Sequence, residues 1–135
     1  MKKIFLLLIA LLIASSVQAY EITPMDVVNA NQIMAKMSGT QIDENLTINS
    51  LEMQKLGTTV KYIYVYDSIN PITSENRKIL NASHDMMYLS TCQTLYDTGG
   101  KELLAASNVD SLYVELRYID QNNNSFITSG GCPQQ

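Results

Sequence analysis

The sequence predicts an α+β protein in which an antiparallel sheet of about four strands, in the order α-β-β-α-β-β, packs against helices on one of its faces. Three observations lead to this prediction. Two pairs of segments have the short, alternating apolar pattern of strands joined by turns. Segments with helical periodicity precede and separate them. Two cysteines are placed to join a helix to the end of the last strand.

The N-terminal segment has the layout of a secretory signal peptide. A positive start is followed by the uninterrupted apolar run 4–14, and small residues precede a cleavage site near Ala19. The run is shorter than the roughly 20 residues of a membrane-spanning helix. We therefore expect residues 1–19 to be removed and residues 20–135 to form a single domain in the periplasm or outside the cell, without a stable membrane anchor.

Composition argues against a nucleic-acid-binding domain. The chain of 135 residues has 13 Asp and Glu against 9 Lys and Arg, which gives a net charge of −4. Binding to phosphate backbones requires clustered basic residues, so no nucleic-acid partner is expected. The hydrophobic content of 46% is ordinary for a globular protein and too high for a disordered chain.

A first helix is predicted over residues 24–38. Thr23 is a suitable N-cap, and Pro24 suits the first helical position. Gly39 is a natural end for the helix. The apolar residues that recur at helical spacing, and so define its buried face, are Val27, Ala30, Met34 and Met37.

The next two segments predict a β-hairpin. Residues 46–54 alternate in polarity, with a phase slip near Asn49 and Ser50 that indicates a bulge or bend. Residues 55–58 are typical of a turn. Residues 59–67 are rich in β-branched and aromatic side chains and form the second strand of the pair.

One long helix is predicted to begin at Thr73 or Ser74. The run 97–100 ends it, and a short helical segment follows over 101–107. The buried stripe of the long helix is predicted to consist of Ile79, Ala82, Met86, Leu89, Cys92 and Tyr96.

The clearest strand is predicted over residues 109–120, and a polar turn over 120–125 connects it to a last strand over 126–129. The turn is rich in asparagine and resembles the opening of a calcium loop. It lacks the turn glycine and the bidentate Glu of such a loop, so a hairpin turn is favoured and no metal is expected. One face of the long strand is apolar and contains Leu112, Val114, Leu116 and Tyr118.

Cys92 and Cys132 are predicted to form a disulfide, because export places both thiols in an oxidising compartment. Metal binding is the alternative, but two cysteines forty residues apart and a single histidine lack the spacing of a zinc site. A redox role is disfavoured because a close C-x-x-C pair is missing. No cofactor is expected.

No constellation of catalytic residues stands out in the sequence. A triad needs a histidine, a nucleophile and an acid converging in one pocket. His84 falls away from the predicted apolar stripe and is expected to face water, and Asp85 beside it points elsewhere. The protein is therefore expected not to be an enzyme. A small hydrolase that uses His84 with Ser83 or Ser90 stays a third alternative.

Tyrosines are the candidate partner-binding residues. Tyr62, Tyr64 and Tyr66 share one face of the second strand, and Tyr113 on the later strand can extend an aromatic surface. Tyrosine is favoured in binding interfaces because one end is apolar and the other is polar. The alternative is that these are core residues with hydroxyls at the rim. The other face of the strand is also largely apolar, which favours a cover of some kind, such as a partner, over the sheet face away from the helices.

Several segments together resemble the β-class (AspS-type) pilotins of type II secretion, over about residues 45–132. The resemblance implies an exported α/β domain whose disulfide joins the long helix to the segment after the last strand, and a partner that is a C-terminal segment of a secretin. Pilotins of this family are lipoproteins, whereas this chain has no lipid-accepting cysteine after its signal. The resembling parts are residues 57–61, Cys92, Leu103, Leu104, residues 112–120, the asparagine-rich turn and Cys132.

The function predicted from these features is binding of a partner protein or peptide by a soluble exported protein, in a pilotin-like or chaperone-like manner. An inhibitor or immunity protein that blocks a secreted enzyme with an acidic surface is the alternative, since it shares the same composition.

Overall fold

The computed structural model describes residues 20–134, and the predicted signal segment lies outside this range. The described residues form the following elements in chain order: α1 (Pro24–Ala35), β1 (Leu46–Leu56), β2 (Thr59–Ser68), α2 (Ser74–Ala82), α3 (His84–Leu95), a π-helical turn (Tyr96–Gly100), α4 (Lys101–Ala106), β3 (Ser111–Asp120) and β4 (Ser125–Gly131).

The strands form one mixed sheet in the order β1-β2-β3-β4. The α+β class, the four strands, the helices packed against the sheet and the disulfide are confirmed. The two hairpins are antiparallel as predicted, whereas the central pair, β2 and β3, is parallel. The helical segment between Ser68 and Ser111 returns the chain to the end of the sheet where β2 begins, and a parallel pair requires such a long crossover.

Alternate strand residues and the helices build a single core on one face of the sheet. The first helix ends at Ala35 and not at residue 38 as predicted. Of its predicted stripe, Ala30, Met34 and the following Met37 are buried in this core, and Val27 is partly buried against it. The predicted bulge is also confirmed, because the register of β1 against β2 shifts between Ile48 and Ser50. The face of the sheet away from the helices is called the open face below.

The start of α1 is capped as its sequence predicts. The Thr23 hydroxyl accepts a hydrogen bond from the Asp26 N–H at 3.2 Å, and the Asp26 carboxylate accepts one from the Thr23 N–H at 2.8 Å. Tyr20 donates its hydroxyl to the same carboxylate at 2.7 Å. Burial alone raises the pKa of Asp26, but hydrogen bonds from Thr23 and Tyr20 outweigh it and hold the pKa below its usual value.

The predicted long helix is wrong: two helices, α2 and α3, meet at Ser83. The Ser83 hydroxyl donates to the Ile79 carbonyl at 2.8 Å, a local bond that competes with regular helix geometry. The break changes the helical phase, so only two of the six residues predicted for the buried stripe are buried. Ile79, Ala82, Met86 and Leu89 are exposed, and Cys92 and Tyr96 are buried.

The predicted disulfide is present. Cys92 on α3 and Cys132 after β4 are bonded, with their Cα atoms 5.4 Å apart. Both residues are buried, so the bond fixes the end of β4 to the helical layer. Between residues 20 and 134, no helix is both long enough and apolar enough to cross a bilayer.

Candidate functional site

A cavity of about 590 Å³ lies between α2 and the end of the sheet where β1 begins and β2 ends. Its volume is in the range of 300–1,000 Å³ typical of ligand sites. The cavity is lined by apolar side chains below and by amide, hydroxyl and carboxylate groups at its rim. The lining residues are Asp43, Asn45, Leu46, Ser68, Asn70, Pro71, Ile72, Asn76, Ile79, Leu80, Met87 and Tyr118.

Tyr118 of β3 is the aromatic part of the lining, and a second tyrosine supports it from the core. The rings of Tyr118 and Tyr66 stack with their centroids 5.3 Å apart, at an angle of 23°. Burial raises the pKa of both phenols. Both rings are therefore neutral at physiological pH. Tyr118 presents its ring to the cavity, and Tyr66 supports that ring from the core.

The loop between β2 and α2 forms one wall, and a buried carboxylate holds it. Asp120 accepts hydrogen bonds from the backbone N–H of Ile72 at 2.8 Å, of Asn122 at 2.9 Å and of Asn124 at 2.8 Å. These bonds lower the pKa of Asp120, and the bond from Ile72 has the largest effect. The predicted hairpin turn at 120–125 is confirmed, and its first carboxylate joins this turn to the cavity wall.

The polar rim is also ordered by local hydrogen bonds. Asp43 accepts from the N–H groups of Asn45 at 2.7 Å and Leu46 at 2.9 Å. The Asn76 side chain donates to the Pro71 carbonyl at 2.7 Å. Asp43 is the one charged side chain among the described lining residues. The cavity therefore favours a ligand with apolar groups. A positive charge next to these groups is tolerated because Asp43 is negative, whereas a negative charge is not.

Apolar side chains are exposed around the cavity mouth. Helix α2 contains no buried residue, although Ile79 and Leu80 lie on the cavity side. Ile79 is 63% exposed, and Ile69, next to the lining residue Asn70, is 58% exposed. Exposed apolar side chains grouped beside a cavity are typical of interaction sites.

The four tyrosines predicted to bind a partner do not form one surface. Tyr62, Tyr64 and Tyr66 are buried on the helix-covered face of β2, at 8% exposure or less. This placement agrees with the alternative given above, that these tyrosines are core residues. Tyr113 lies on the open face, where its ring is 5.6 Å from the Lys61 ammonium. A binding role for these residues stays a prediction, and the structure adds Tyr118 through the cavity.

An ion network lies across the open face of the sheet. The Glu115 carboxylate is 3.2 Å from the Lys61 ammonium and 2.5 Å from the Arg117 guanidinium. Burial raises the pKa of Glu115, but hydrogen bonds from the two basic side chains outweigh it and lower the pKa. Ile63, paired with Glu115 in the sheet, is only 6% exposed. Residues of this chain therefore already shield the apolar centre of the open face.

His84 does not point freely into water as predicted. Its Nδ1 contacts the Thr128 hydroxyl, and its Nε2 is 3.5 Å from an Asp85 oxygen. Thr128, His84 and Asp85 are the residue types of a catalytic nucleophile, base and acid. However, Thr128 is only 1% exposed, so its hydroxyl is not accessible to a substrate, and this hydroxyl also donates to the His84 carbonyl. None of the three residues lines the cavity. His84 therefore connects α3 to β4.

Sequence reasoning missed the cavity and found only its boundaries. The polarity pattern predicts the lining loop segments as ends of strands, and it places Asn76, Ile79 and Leu80 in a continuous helix. One signal was available: residues 74–82 contain few apolar side chains, too few for a helix that packs on a core.

Comparisons with protein-family models, curated proteins and solved structures gave no match for this chain.

Proposed function

We propose that this protein is exported to the periplasm and binds a peptide segment of a partner protein there, in a pilotin-like or chaperone-like manner and without catalysis. The cavity beside α2 carries the proposal. Its size, apolar lining and exposed apolar mouth fit two or three apolar side chains of a partner better than a polar metabolite.

The resemblance to pilotins suggests the partner, a C-terminal segment of a secretin. Such a segment brings apolar side chains to the cavity and backbone groups to the amides of Asn45, Asn70 and Asn76 at its rim. The predicted signal peptide and the disulfide fit a periplasmic setting. The proposal covers binding of this segment only, and not its transport to a membrane.

The test is binding of synthetic peptides that tile the C-terminal domain of the secretin from the same organism, followed by fluorescence anisotropy with the exported protein. We expect one peptide to bind with micromolar affinity. Ile79→Glu should weaken that binding at least about tenfold, because it places a second negative charge, in addition to Asp43, at an otherwise uncharged cavity.

Val28→Glu is the matched control. Val28 is 48% exposed on α1, which contributes no residue to the cavity, and this variant should bind like the wild type. In the periplasm, a photo-crosslinking residue at position 79 should yield an adduct with the secretin, and one at position 28 should not. Failure of every peptide together with no adduct specific to position 79 would refute the proposal.

A further inference from the structure

The two edge strands of the sheet, β1 and β4, differ in whether their outward backbone groups are hydrogen-bonded. At the β1 edge, the Asn31 side chain accepts from the Met53 N–H at 2.7 Å and donates to the Met53 carbonyl at 3.0 Å. Further along, the Ile48 N–H donates to the Thr40 carbonyl at 2.8 Å, and the Ile48 carbonyl accepts from Gly39 at 2.7 Å. These bonds occupy backbone groups that a further strand needs, so β1 is a protected edge.

At the β4 edge the corresponding groups are open. The Cys132 N–H donates to the Leu112 carbonyl, which fixes the alternation of the antiparallel ladder between β3 and β4. By this alternation the backbone groups of Ser125, Ile127 and Ser129 point away from β3. Within the described part of the chain, these outward groups have no hydrogen-bond partner.

The sequence of β4 has none of the usual devices that block an edge. Its residues, SFITSGG, include no charge, no proline and no bulge. Ile127, in the middle of the strand, is 53% exposed on the open face. Uncharged, uninterrupted edges of this kind pair with other strands.

We propose that β4 pairs with β4 of a second copy of this chain, antiparallel about a two-fold axis at Ile127. In this register Ile127 faces Ile127 of the partner subunit, and Ser125 faces Ser129 of the partner subunit. These pairs form about six backbone hydrogen bonds and join the two sheets into one. A second copy is favoured as the occupant because the strand is self-complementary about Ile127 and brings no like charges together.

The helical layer accommodates this pairing. Helix α3 lies over β3 and β4. With strands about 4.8 Å apart, two-fold pairing brings the two α3 helices about 10 Å apart, within the range of packed helices. Met87 faces the cavity and Tyr88 contacts Gly130, so Leu89, a further 100° around the helix, lies on the flank beside the β4 edge. Leu89 is 37% exposed and is available for this helix contact.

The test is sedimentation equilibrium of the exported protein over a wide concentration range at physiological salt. We expect a reversible monomer–dimer equilibrium. Ile127→Lys should weaken self-association at least about tenfold, because each dimer then brings two ammonium groups together at its axis. Ile69→Lys is the matched control: Ile69 is similarly exposed, at 58%, but lies beside the cavity, and this variant should dimerise like the wild type.

A second measurement tests the register and does not depend on the Lys variants. Ile127→Cys should give a disulfide-linked dimer on mild oxidation, because cross-strand Cα atoms at the axis lie about 5.5 Å apart. Ile69→Cys should cross-link much less. A wild type that stays monomeric throughout, dimerisation unaffected by Ile127→Lys, or equal cross-linking by the two cysteines would each overturn the proposal. A monomer that still binds secretin peptides would overturn it without affecting the proposed function.

Discussion

At the scale of single residues, two adjacent glycines near the end of β4 have different surroundings. A Cβ on Gly130 would lie 2.6 Å from the Tyr88 ring, closer than any normal contact. A Cβ on Gly131 would find its nearest neighbour, the Tyr113 ring, at 4.0 Å. Gly130 therefore allows α3 to pack closely on β4, whereas Gly131 has room for a side chain.

This difference gives a paired prediction. Gly130→Ala should lower the free energy of unfolding by about 1–3 kcal/mol, because the added methyl group overpacks the contact with Tyr88. Gly131→Ala should be neutral or slightly stabilising, since alanine loses less backbone entropy on folding. Urea denaturation measures both. Tyr88→Leu should recover part of the loss in the Gly130→Ala background, and equal effects of the two glycine variants would contradict the packing argument.

At the scale of elements, the hydrogen bonds of β3 and one covalent link hold the last strand. Cys132 follows β4 directly, and its bond to Cys92 ties the strand end to α3 across 40 residues of chain. Cys92 lies one helical turn before Tyr96, and both are in the main core cluster. The bond thus joins the edge strand to a part of the helical layer that packs in the main core.

Replacing both cysteines with alanine should lower the free energy of unfolding by about 2–4 kcal/mol, because the unfolded chain regains the entropy of an open loop of this length. Chemical denaturation under non-reducing conditions measures the loss. Wild-type protein unfolded in the presence of a reductant should show a similar decrease. An unchanged denaturation midpoint in both cases would show that the link contributes little to stability.

At the scale of the whole molecule, three carboxylates make stability depend on pH in the same direction. Hydrogen bonds lower the pKa of Asp26, Glu115 and Asp120 in the folded state. As pH falls, the unfolded chain therefore takes up protons at these groups before the folded chain does. Their contribution is complete above the unfolded pKa, near 4, and is lost as pH falls through the lower folded values.

Asp120→Asn should lower the melting temperature at neutral pH, because an amide oxygen accepts hydrogen bonds from Ile72, Asn122 and Asn124 more weakly than a carboxylate. It should also reduce the fall in melting temperature below about pH 4. Thermal unfolding followed by circular dichroism at several pH values measures both effects. Asp110→Asn is the control, since Asp110 is exposed and its side chain makes no hydrogen bond within residues 20–134. Identical pH profiles for both variants would contradict the role of Asp120.

Much of the local structure of this protein is predictable because its causes lie within a few residues. The capping box at Thr23 and Asp26, the bulge at Asn49 and the alternation of β3 each depend on neighbours in the chain. The break at Ser83 is also local, but the apolar spacing continues through it. A hydrogen bond from Ser83 to Ile79 ends the helix, and this bond leaves little trace in the apolar pattern.

The candidate site required contacts between distant parts of the chain. Tyr118 reaches the cavity because β3 lies parallel to β2, and Ile72 is held there by Asp120, 48 residues later. Neither pairing follows from polarity patterns, which describe the faces of a strand but not its neighbours. The cavity lies between α2, which ends just before Ser83, and the end of the sheet where β1 begins.

By itself, the sequence determined the α+β class, the positions of most of the helices and strands, and the two cysteines that bond. Only the tertiary structure decided the parallel central pair, the burial of three tyrosines, the cavity beside α2 and the open edge at β4. The physical reason is the range of the interactions: caps, turns and alternation act between neighbours, whereas strand order and packing depend on which distant segments bury each other.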